Sequence, residues 1–171
     1  SAAMESYLEQ VKHRAGLRFK KIRESTGKDA VLRSAGGMSR QDFMEFFEVV
    51  CATVCLPQAR ATFKAEYDKS KKFENVAATS VRIQHRLLEL IGVEWKYGVD
   101  CLNKIGQQYN NDRELTSKFM TFQVAVELYC RLACMSPEQE SEFLEECPVN
   151  TKNIPHIYFA RKQMSMMMQG G

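Results

Sequence analysis

The sequence predicts an all-α fold, a single compact domain of six to eight helices. Apolar side chains recur at steps of three and four residues, as on one face of an α-helix, and the strict alternation typical of strands is almost absent. Glycine and proline stand between these amphipathic stretches, where they end one helix before the next begins. The chain has 171 residues, which is enough for one domain with a sizeable core.

We expect this domain to cover residues 4–171, with the residues before Met4 introduced for expression and residues 150–171 forming a loosely attached C-terminal helix. No apolar run reaches the roughly 18 residues of a membrane-spanning helix. The amino end lacks the charged, apolar and small-residue order of a secretory signal. We therefore expect a cytoplasmic protein without a transmembrane segment, in which the six cysteines are reduced thiols.

Four helices are predicted in the first half of the chain. The first covers residues 4 to about 26, and the second covers residues 40–56 with a phenylalanine-rich stripe. The third, about residues 58–73, combines aromatic side chains with many lysines. The fourth is predicted to start near Thr79 or Ser80, because hydroxyl side chains are common N-caps.

Two longer helices are predicted in the second half. Apolar residues at steps of three and four predict one continuous helix over residues 95–109. A polar cluster follows, in which Asn111 and Glu114 are the predicted cap of the next helix. That helix keeps its apolar register over residues 115–133, some five turns, and is the strongest periodic pattern in the chain.

Two helix starts have the residue pattern of a capping box. Ser39 precedes the second helix, with Asp42 three residues later. Ser136 is followed by Pro137 at the first helical position and by Gln139 three residues later, which predicts a short acidic helix there. In both, the first side chain is expected to accept from a backbone N–H and the later one to bond back.

The stretch before the second helix also resembles the latter half of an EF-hand calcium loop. Gly36 stands at the sharp-turn position and Asp42 at the final acidic position. The positions of the first three side-chain ligands hold Val31, Arg33 and Ala35, none of which offers a carboxylate or amide oxygen. The resemblance implies, as one alternative, a degenerate EF-hand-like regulatory domain that does not bind calcium. A capped helix is the preferred interpretation of the same residues.

Cysteines form two pairs with a spacing of four. Cys51 and Cys55 fall on the second predicted helix, and Cys130 and Cys134 on the sixth. If the pairs faced each other, four thiolates would form a tetrahedral zinc site. Cysteine also behaves as a small, often buried hydrophobe, which is the preferred interpretation here. We therefore expect no metal and no other cofactor.

Motifs of catalysis are missing from the sequence. It contains no G-x-S-x-G, no phosphate-binding glycine loop and no H-E-x-x-H. The three histidines, His13, His85 and His156, lie on separate segments. We expect a protein that is not an enzyme, although a cysteine nucleophile with a distant histidine stays open as an alternative.

Charge is distributed unevenly along the chain. Residues 4–33 hold eight basic and four acidic side chains, and residues 57–86 hold seven and three. Residues 112–147 reverse the balance, with three basic and eight acidic. The basic segments fit an acidic partner such as nucleic-acid phosphates. The predicted surface for nucleic acid or another acidic partner consists of Lys12, Arg14, Arg18, Lys20, Lys21, Lys69, Lys71 and Lys72.

Two functions follow from these patterns. The first is a non-enzymatic protein-interaction, scaffold or oligomerisation module. Methionine side chains near the carboxyl end offer soft apolar material for a protein partner or for self-association. The predicted partner or oligomer surface consists of Met164, Met166, Met167 and Met168. The alternative is a small RNA-binding protein that uses the basic first and third predicted helices.

Overall fold

The computed structural model describes residues 32–145, and these residues form seven α-helices with no β-strand beyond one isolated bridge. The predicted all-α fold is confirmed. None of these helices is long and apolar enough to cross a bilayer. The helices are α1 Arg40–Val54, α2 Pro57–Ser70, α3 Phe73–Leu90, α4 Trp95–Asn103, α5 Ile105–Gln108, α6 Arg113–Ala133 and α7 Pro137–Glu145.

Helices α1 and α6 run side by side in the same direction. Their starts are joined by Arg40, whose Nε donates to Asp112 Oδ2 at 2.6 Å. About two turns further along both helices, Phe47 lies against Phe119 and Phe122, with ring centroids 5.5 and 5.2 Å apart. Such aromatic pairs bury a large apolar area at the centre of the domain.

Helix α3 packs on the C-terminal part of α6. Its first residue, Phe73, lies under the Arg131 guanidinium near the end of α6, with 3.6 Å between the guanidinium carbon and the ring centroid. One buried core spans the helices from α1 to α6, and its fully buried large side chains include Phe43, Phe46, Phe47, Phe63, Leu87, Leu88 and Leu115. A second, smaller cluster around Leu128 and Leu132 joins α6 to Phe143 of α7.

Both predicted capping boxes are confirmed. The N–H of Asp42 donates to Ser39 Oγ at 3.1 Å, and the N–H of Ser39 donates to Asp42 Oδ2 at 2.9 Å. The N–H of Gln139 donates to Ser136 Oγ at 3.1 Å, with a return bond of 2.9 Å from the Ser136 N–H to Gln139 Oε1. Each box satisfies donors that would otherwise have no intrahelical partner.

The predicted start of the fourth helix is wrong by about two turns. In the structure this helix, α3, begins at Phe73, and no side chain caps it. The hydroxyls of Thr79 and Ser80 instead donate to the carbonyls of Asn75 at 3.0 Å and Ala77 at 2.7 Å, one turn earlier in the same helix. Hydroxyl side chains can satisfy themselves in this way within a helix, so their presence did not mark a boundary.

Two further boundaries differ from prediction. The helix predicted over residues 95–109 is interrupted at Lys104, whose N–H donates to the Cys101 carbonyl at 3.1 Å, and it therefore divides into α4 and α5. The cap of α6 is Asp112 rather than Asn111, because Asp112 Oδ1 accepts from the Leu115 N–H at 3.0 Å. The predicted register over residues 115–133 is confirmed by α6.

The segment before α1 is tied to the corner between α3 and α4. The N–H of Arg33 donates to the Gly92 carbonyl, and the N–H of Glu94 donates to the Arg33 carbonyl, both at 2.9 Å. Further along, the N–H of Gly37 donates to the Tyr97 hydroxyl. These bonds fix the chain before α1 against the start of α4.

The Asp42 carboxylate is engaged by the chain itself. Besides the Ser39 N–H, it accepts from Arg33 Nη2 at 2.8 Å, and its side chain is only 1% exposed. Burial opposes ionisation of Asp42, but the Arg33 and Ser39 bonds outweigh it and lower its pKa. The position that an EF-hand would use for calcium is thus paired with a cation of this chain, which favours the capped-helix interpretation.

Candidate nucleic-acid interface

The structure describes only part of the surfaces predicted from the sequence. The five basic residues of the first predicted helix, Lys12 to Lys21, lie outside the described residues, as do Met164, Met166, Met167 and Met168. Lys69, Lys71 and Lys72 lie within the described residues.

These three lysines lie exposed at the corner between α2 and α3. Lys71 caps α2 with a left-handed backbone, φ 56°. Its Nζ lies 3.8 Å from Asp68 Oδ1 and 5.6 Å from the centroid of the Tyr67 ring, so its charge is partly used within the chain. Lys69 and Lys72 are exposed and form no ion pair within residues 32–145.

Basic side chains continue along the exposed face of α3. Arg82 and Arg86 are exposed and four residues apart, so they lie on one side of the helix. At 1.5 Å per residue, Arg86 lies about 21 Å along the helix axis from Lys72. Arg82 donates to Thr79 Oγ1 at 2.9 Å, a bond that uses one of its five N–H groups.

An aromatic pair stands where α3 meets α4. The rings of His85 and Trp95 are stacked, with centroids 4.1 Å apart and planes inclined by 23°. Lys96 places its Nζ 5.5 Å from the centroid of the Trp95 ring. The corner between α3 and α4 therefore combines the two arginines of α3, the stacked imidazole of His85 and the ammonium group of Lys96.

Close packing between α3 and α4 brings the two rings together. Gly98 is buried, and a Cβ added to it would lie 2.9 Å from both methyl carbons of Leu88. Leu88 and His85 are three residues apart on α3, as Gly98 and Trp95 are on α4, so the two contacts occupy neighbouring levels of one helix interface. The missing side chain at Gly98 allows the approach that stacks the rings.

Acidic side chains also lie near this corner, and they include Glu89 of α3 and Glu94. Glu94 caps α4 by accepting from the N–H groups of Tyr97 at 2.8 Å and Lys96 at 3.1 Å, and these bonds lower its pKa. Burial lowers the pKa of His85, and the charge of Glu89, one turn along α3, acts in the opposite direction. The remaining cations, Arg86 and Lys96, form no ion pair within residues 32–145.

The cysteine pairs lie on different sides of α6. Burial and the nearby thiols of Cys55 and Cys51 raise the pKa of Tyr129, whereas Cys130 lies beside Ser80 of α3, which opposes the rise that burial causes in the pKa of Cys130. Burial raises the pKa of Cys51 and of Cys130 to about 11. Within the described residues no group of three or more histidine, cysteine or acidic side chains is placed to hold a metal, so the zinc alternative has no site there.

A shallow depression of about 650 Å³ lies at the turn before α6, lined by residues 108–113. Its carboxylate, Asp112, is already bonded to Arg40 and to the Leu115 N–H, and these bonds lower its pKa. Because this carboxylate stabilises the start of α6 and its contact with α1, it is already engaged within the chain and is a poor ligand-binding group.

Sequence reasoning missed the residues of the α3–α4 corner. In the sequence, Arg82 and Arg86 are four residues apart, and Lys96 follows the single tryptophan of the chain. The pairing of His85 with Trp95 depends on the turn between two helices and has no local signature.

Comparisons of the chain with protein families, with curated proteins and with solved structures find no match.

Proposed function

We propose that the chain is a non-catalytic nucleic-acid-binding module, in which the exposed side of α3 and the start of α4 hold the phosphate backbone. The observation that carries the proposal is a set of exposed cations that form no ion pairs within residues 32–145: Lys69 at the end of α2, Lys72 just before α3, Arg82 and Arg86 on α3, and Lys96 on α4. Lysine and arginine that are free to contact phosphates provide the electrostatic part of nucleic-acid affinity.

Chemistry and spacing favour phosphates over a single small anion. The cations extend over about 21 Å of helix axis, which suits a polymer with a charge on every unit better than one carboxylate. Arg86 also offers a planar fork that can bind a phosphate through two parallel hydrogen bonds.

Acidic side chains are concentrated elsewhere in the described chain. Glu138, Glu142 and Glu145 are exposed on α7, and Glu140 of the same helix pairs with Arg60 of α2. Among the described residues, the ion pair of α7 is thus made with α2 and not with the cations of α3, although α3 carries Glu74 and Glu89 itself. The cations that are unpaired within residues 32–145 support an acidic partner for the α3 side.

A protein partner remains the competing hypothesis. Among the described residues, the exposed large hydrophobic side chains are Val81 on α3, 43% exposed, and Met120 on α6, 40% exposed. Single exposed apolar residues are ordinary on protein surfaces and form no large patch. The protein-interaction hypothesis therefore depends on the methionines at 164–168, outside the described residues, and the expectation that the chain is not an enzyme stays a prediction.

Salt dependence of RNA binding tests the proposal. Affinity for a short single-stranded RNA should fall steeply with salt, with a log–log slope of about −0.7 for each neutralised phosphate. The double variant Arg86→Gln, Lys96→Gln should weaken binding and make the slope shallower by about 1.4, because two phosphate contacts are lost.

The matched control removes the same charge from other exposed positions. The double variant Lys104→Gln, Lys118→Gln removes one positive charge at the junction of α4 and α5 and another from the exposed side of α6. Its effect on binding should be small, and both double variants should melt at the wild-type temperature. Equal loss of affinity in the two variants, or no binding by the wild-type protein at physiological salt, would refute the proposed surface.

A further inference from the structure

We infer that His85 is a stacking platform for one base of a single-stranded nucleic acid, held in place by Trp95. This inference rests on the proposed function and adds its mode of recognition: cations on α3 contact phosphates, and one ring between them contacts a base. It depends on a different observation from the phosphate surface, namely the stacked ring pair at the α3–α4 corner.

Both rings of the pair are half-buried. Trp95 packs against the main core, and His85 stacks on it from the last turns of α3. His85 forms no hydrogen bond or ion pair within residues 32–145, so its ring contact with Trp95 is what orients it. A ring that is fixed on one side and half-exposed is suited to accept a third ring on the other.

The fixed orientation reduces the cost of binding. A side chain that is already ordered loses little rotamer freedom when a ligand stacks on it. Close contact between Gly98 and Leu88 fixes α4 against α3, so Trp95 itself is held by the helix packing. The structure thus provides a pre-organised stack to which one more planar group can be added.

The neighbouring charges match a nucleotide rather than an uncharged aromatic ligand. Arg82 and Arg86 flank His85 on its own helix, at positions three before and one after it, and Lys96 follows Trp95. A base stacked on His85 would bring its own phosphate and the next one near these cations. Stacking tolerates any base sequence because every base has a π-face.

The same geometry predicts that the site prefers single-stranded to double-stranded nucleic acid. In a duplex both faces of an internal base are already stacked on neighbouring bases, so the base cannot reach His85 without leaving the helix. Proteins that read RNA through aromatic side chains therefore act on unpaired segments. We expect this site to prefer single strands to a duplex of the same length.

Trp95 provides the probe, because it is the single tryptophan of the chain. Its fluorescence should change on titration with a single-stranded homopolymer of uridine, and the dissociation constant follows from that curve. His85→Ala should weaken single-strand binding on the order of ten-fold, the effect of removing one stacking side chain. Gln84→Ala, at the neighbouring half-exposed position of α3, serves as the matched control and should leave affinity unchanged.

A variant that restores the ring distinguishes a loss of stacking from a loss of folding. His85→Phe keeps a planar ring but no charge or hydrogen bond, and it should restore single-strand affinity to within a few-fold of wild type. Labelled RNA and fluorescence anisotropy give a second affinity measurement that does not depend on Trp95. Duplex RNA should bind more weakly and equally to wild type and His85→Ala.

The outcomes distinguish this inference from the proposed function. If His85→Ala binds like wild type while Arg86→Gln with Lys96→Gln binds more weakly, the phosphate surface stands and the stacking role is wrong. Failure of His85→Phe to restore binding also contradicts stacking, provided that it melts at the wild-type temperature. If neither single-stranded nor duplex RNA binds, the proposed function and this inference both fail.

Discussion

Gly98 of α4 lies so close to Leu88 of α3 that even one added carbon would collide with it. A Cβ at Gly98 would stand 2.9 Å from each Leu88 methyl carbon and 3.2 Å from Val93 Cγ1. The leucine is fully buried, so its methyl groups have little room to move aside. The contact sets the distance between the two helices that carry His85 and Trp95.

Gly98→Ala should therefore destabilise the protein despite the better helix propensity of alanine. We expect a loss of about 1–3 kcal/mol in the free energy of unfolding, the usual range for overpacking a core. Denaturant unfolding measures it, and Trp95 fluorescence should shift in the folded state because the ring stack is displaced.

Gly106→Ala is the matched control. A Cβ at Gly106 meets nothing within 4 Å, and this glycine also lies in a helix, α5. Its replacement should be neutral or stabilise by up to about 1 kcal/mol. Two variants of equal stability would show that the α3–α4 contact adjusts without cost.

Asp42 should be a major contributor to stability at neutral pH. Its buried carboxylate accepts from Arg33 and from the Ser39 N–H, and Asp42→Asn replaces these charge-assisted bonds with weaker ones. We expect a loss of about 2 kcal/mol. Glu114→Gln is the control, since the Glu114 side chain is 66% exposed and its carboxylate lies 3.5 Å from Arg40, a pair expected to contribute little.

The pH dependence of Asp42 has a defined sign. Its pKa is lowered in the folded protein, so the unfolded chain takes up the proton first. The stability from this group is present above the ordinary aspartate pKa of 3.8 and is lost as the pH falls through the lowered folded pKa. The difference in stability between wild type and Asp42→Asn should thus shrink in strong acid, and a difference that stays constant to the lowest measurable pH contradicts the ion pair.

Calcium should change neither the melting temperature nor the circular dichroism spectrum. The loop before α1 pairs Asp42 with Arg33, and a cation at that position would have to displace a guanidinium. A calcium-dependent rise in melting temperature that disappears in Asp42→Ala would support the EF-hand interpretation instead.

The parts of the fold that the sequence predicts well are those decided by local contacts. The capping boxes at Ser39 and Ser136 involve residues three apart, and the register of α6 repeats over 21 residues. The start of α3 was predicted wrongly because no side chain caps it. Hydroxyl groups at Thr79 and Ser80, which resembled caps, bond instead to carbonyls within the helix.

The candidate site was harder to predict for a physical reason. The sequence selected Lys69, Lys71 and Lys72 from a run of charge, and the structure shows that Lys71 is partly occupied by Asp68 and Tyr67. The stacked rings come from two helices joined by a turn at Gly92, and their contact depends on how α4 packs on α3. Periodicity describes one helix at a time and contains no information on that packing.

His85 should make Trp95 fluorescence pH-dependent. Burial lowers the pKa of the imidazole below the ordinary histidine pKa of 6.5, so the fluorescence transition should have its midpoint below 6.5. As the unfolded chain is protonated first, stability should be constant above about pH 6.5 and decline as the pH falls towards the folded pKa. His85→Phe should abolish the fluorescence transition, and a transition that persists in this variant would assign it to another group.

Thiol reactivity should separate the cysteines by burial. Cys55 is exposed at the end of α1, whereas Cys51 and Cys130 have pKa values raised to about 11 because burial disfavours the thiolate. Since the thiolate is the reactive form, their thiolate fraction at neutral pH is roughly a hundredfold below that of a thiol with the ordinary cysteine pKa of 9.0.

Timed alkylation followed by peptide mass spectrometry measures each site separately. Cys55 should be labelled first and Cys51 and Cys130 last, and the difference should vanish in denaturant, where burial is lost. The fully reduced state predicted from the sequence requires that all six cysteines become labelled in denaturant without a reductant. Equal labelling of Cys51 and Cys55 in the native protein would contradict the packing of α1 on α6, and stoichiometric zinc by elemental analysis would revive the metal alternative.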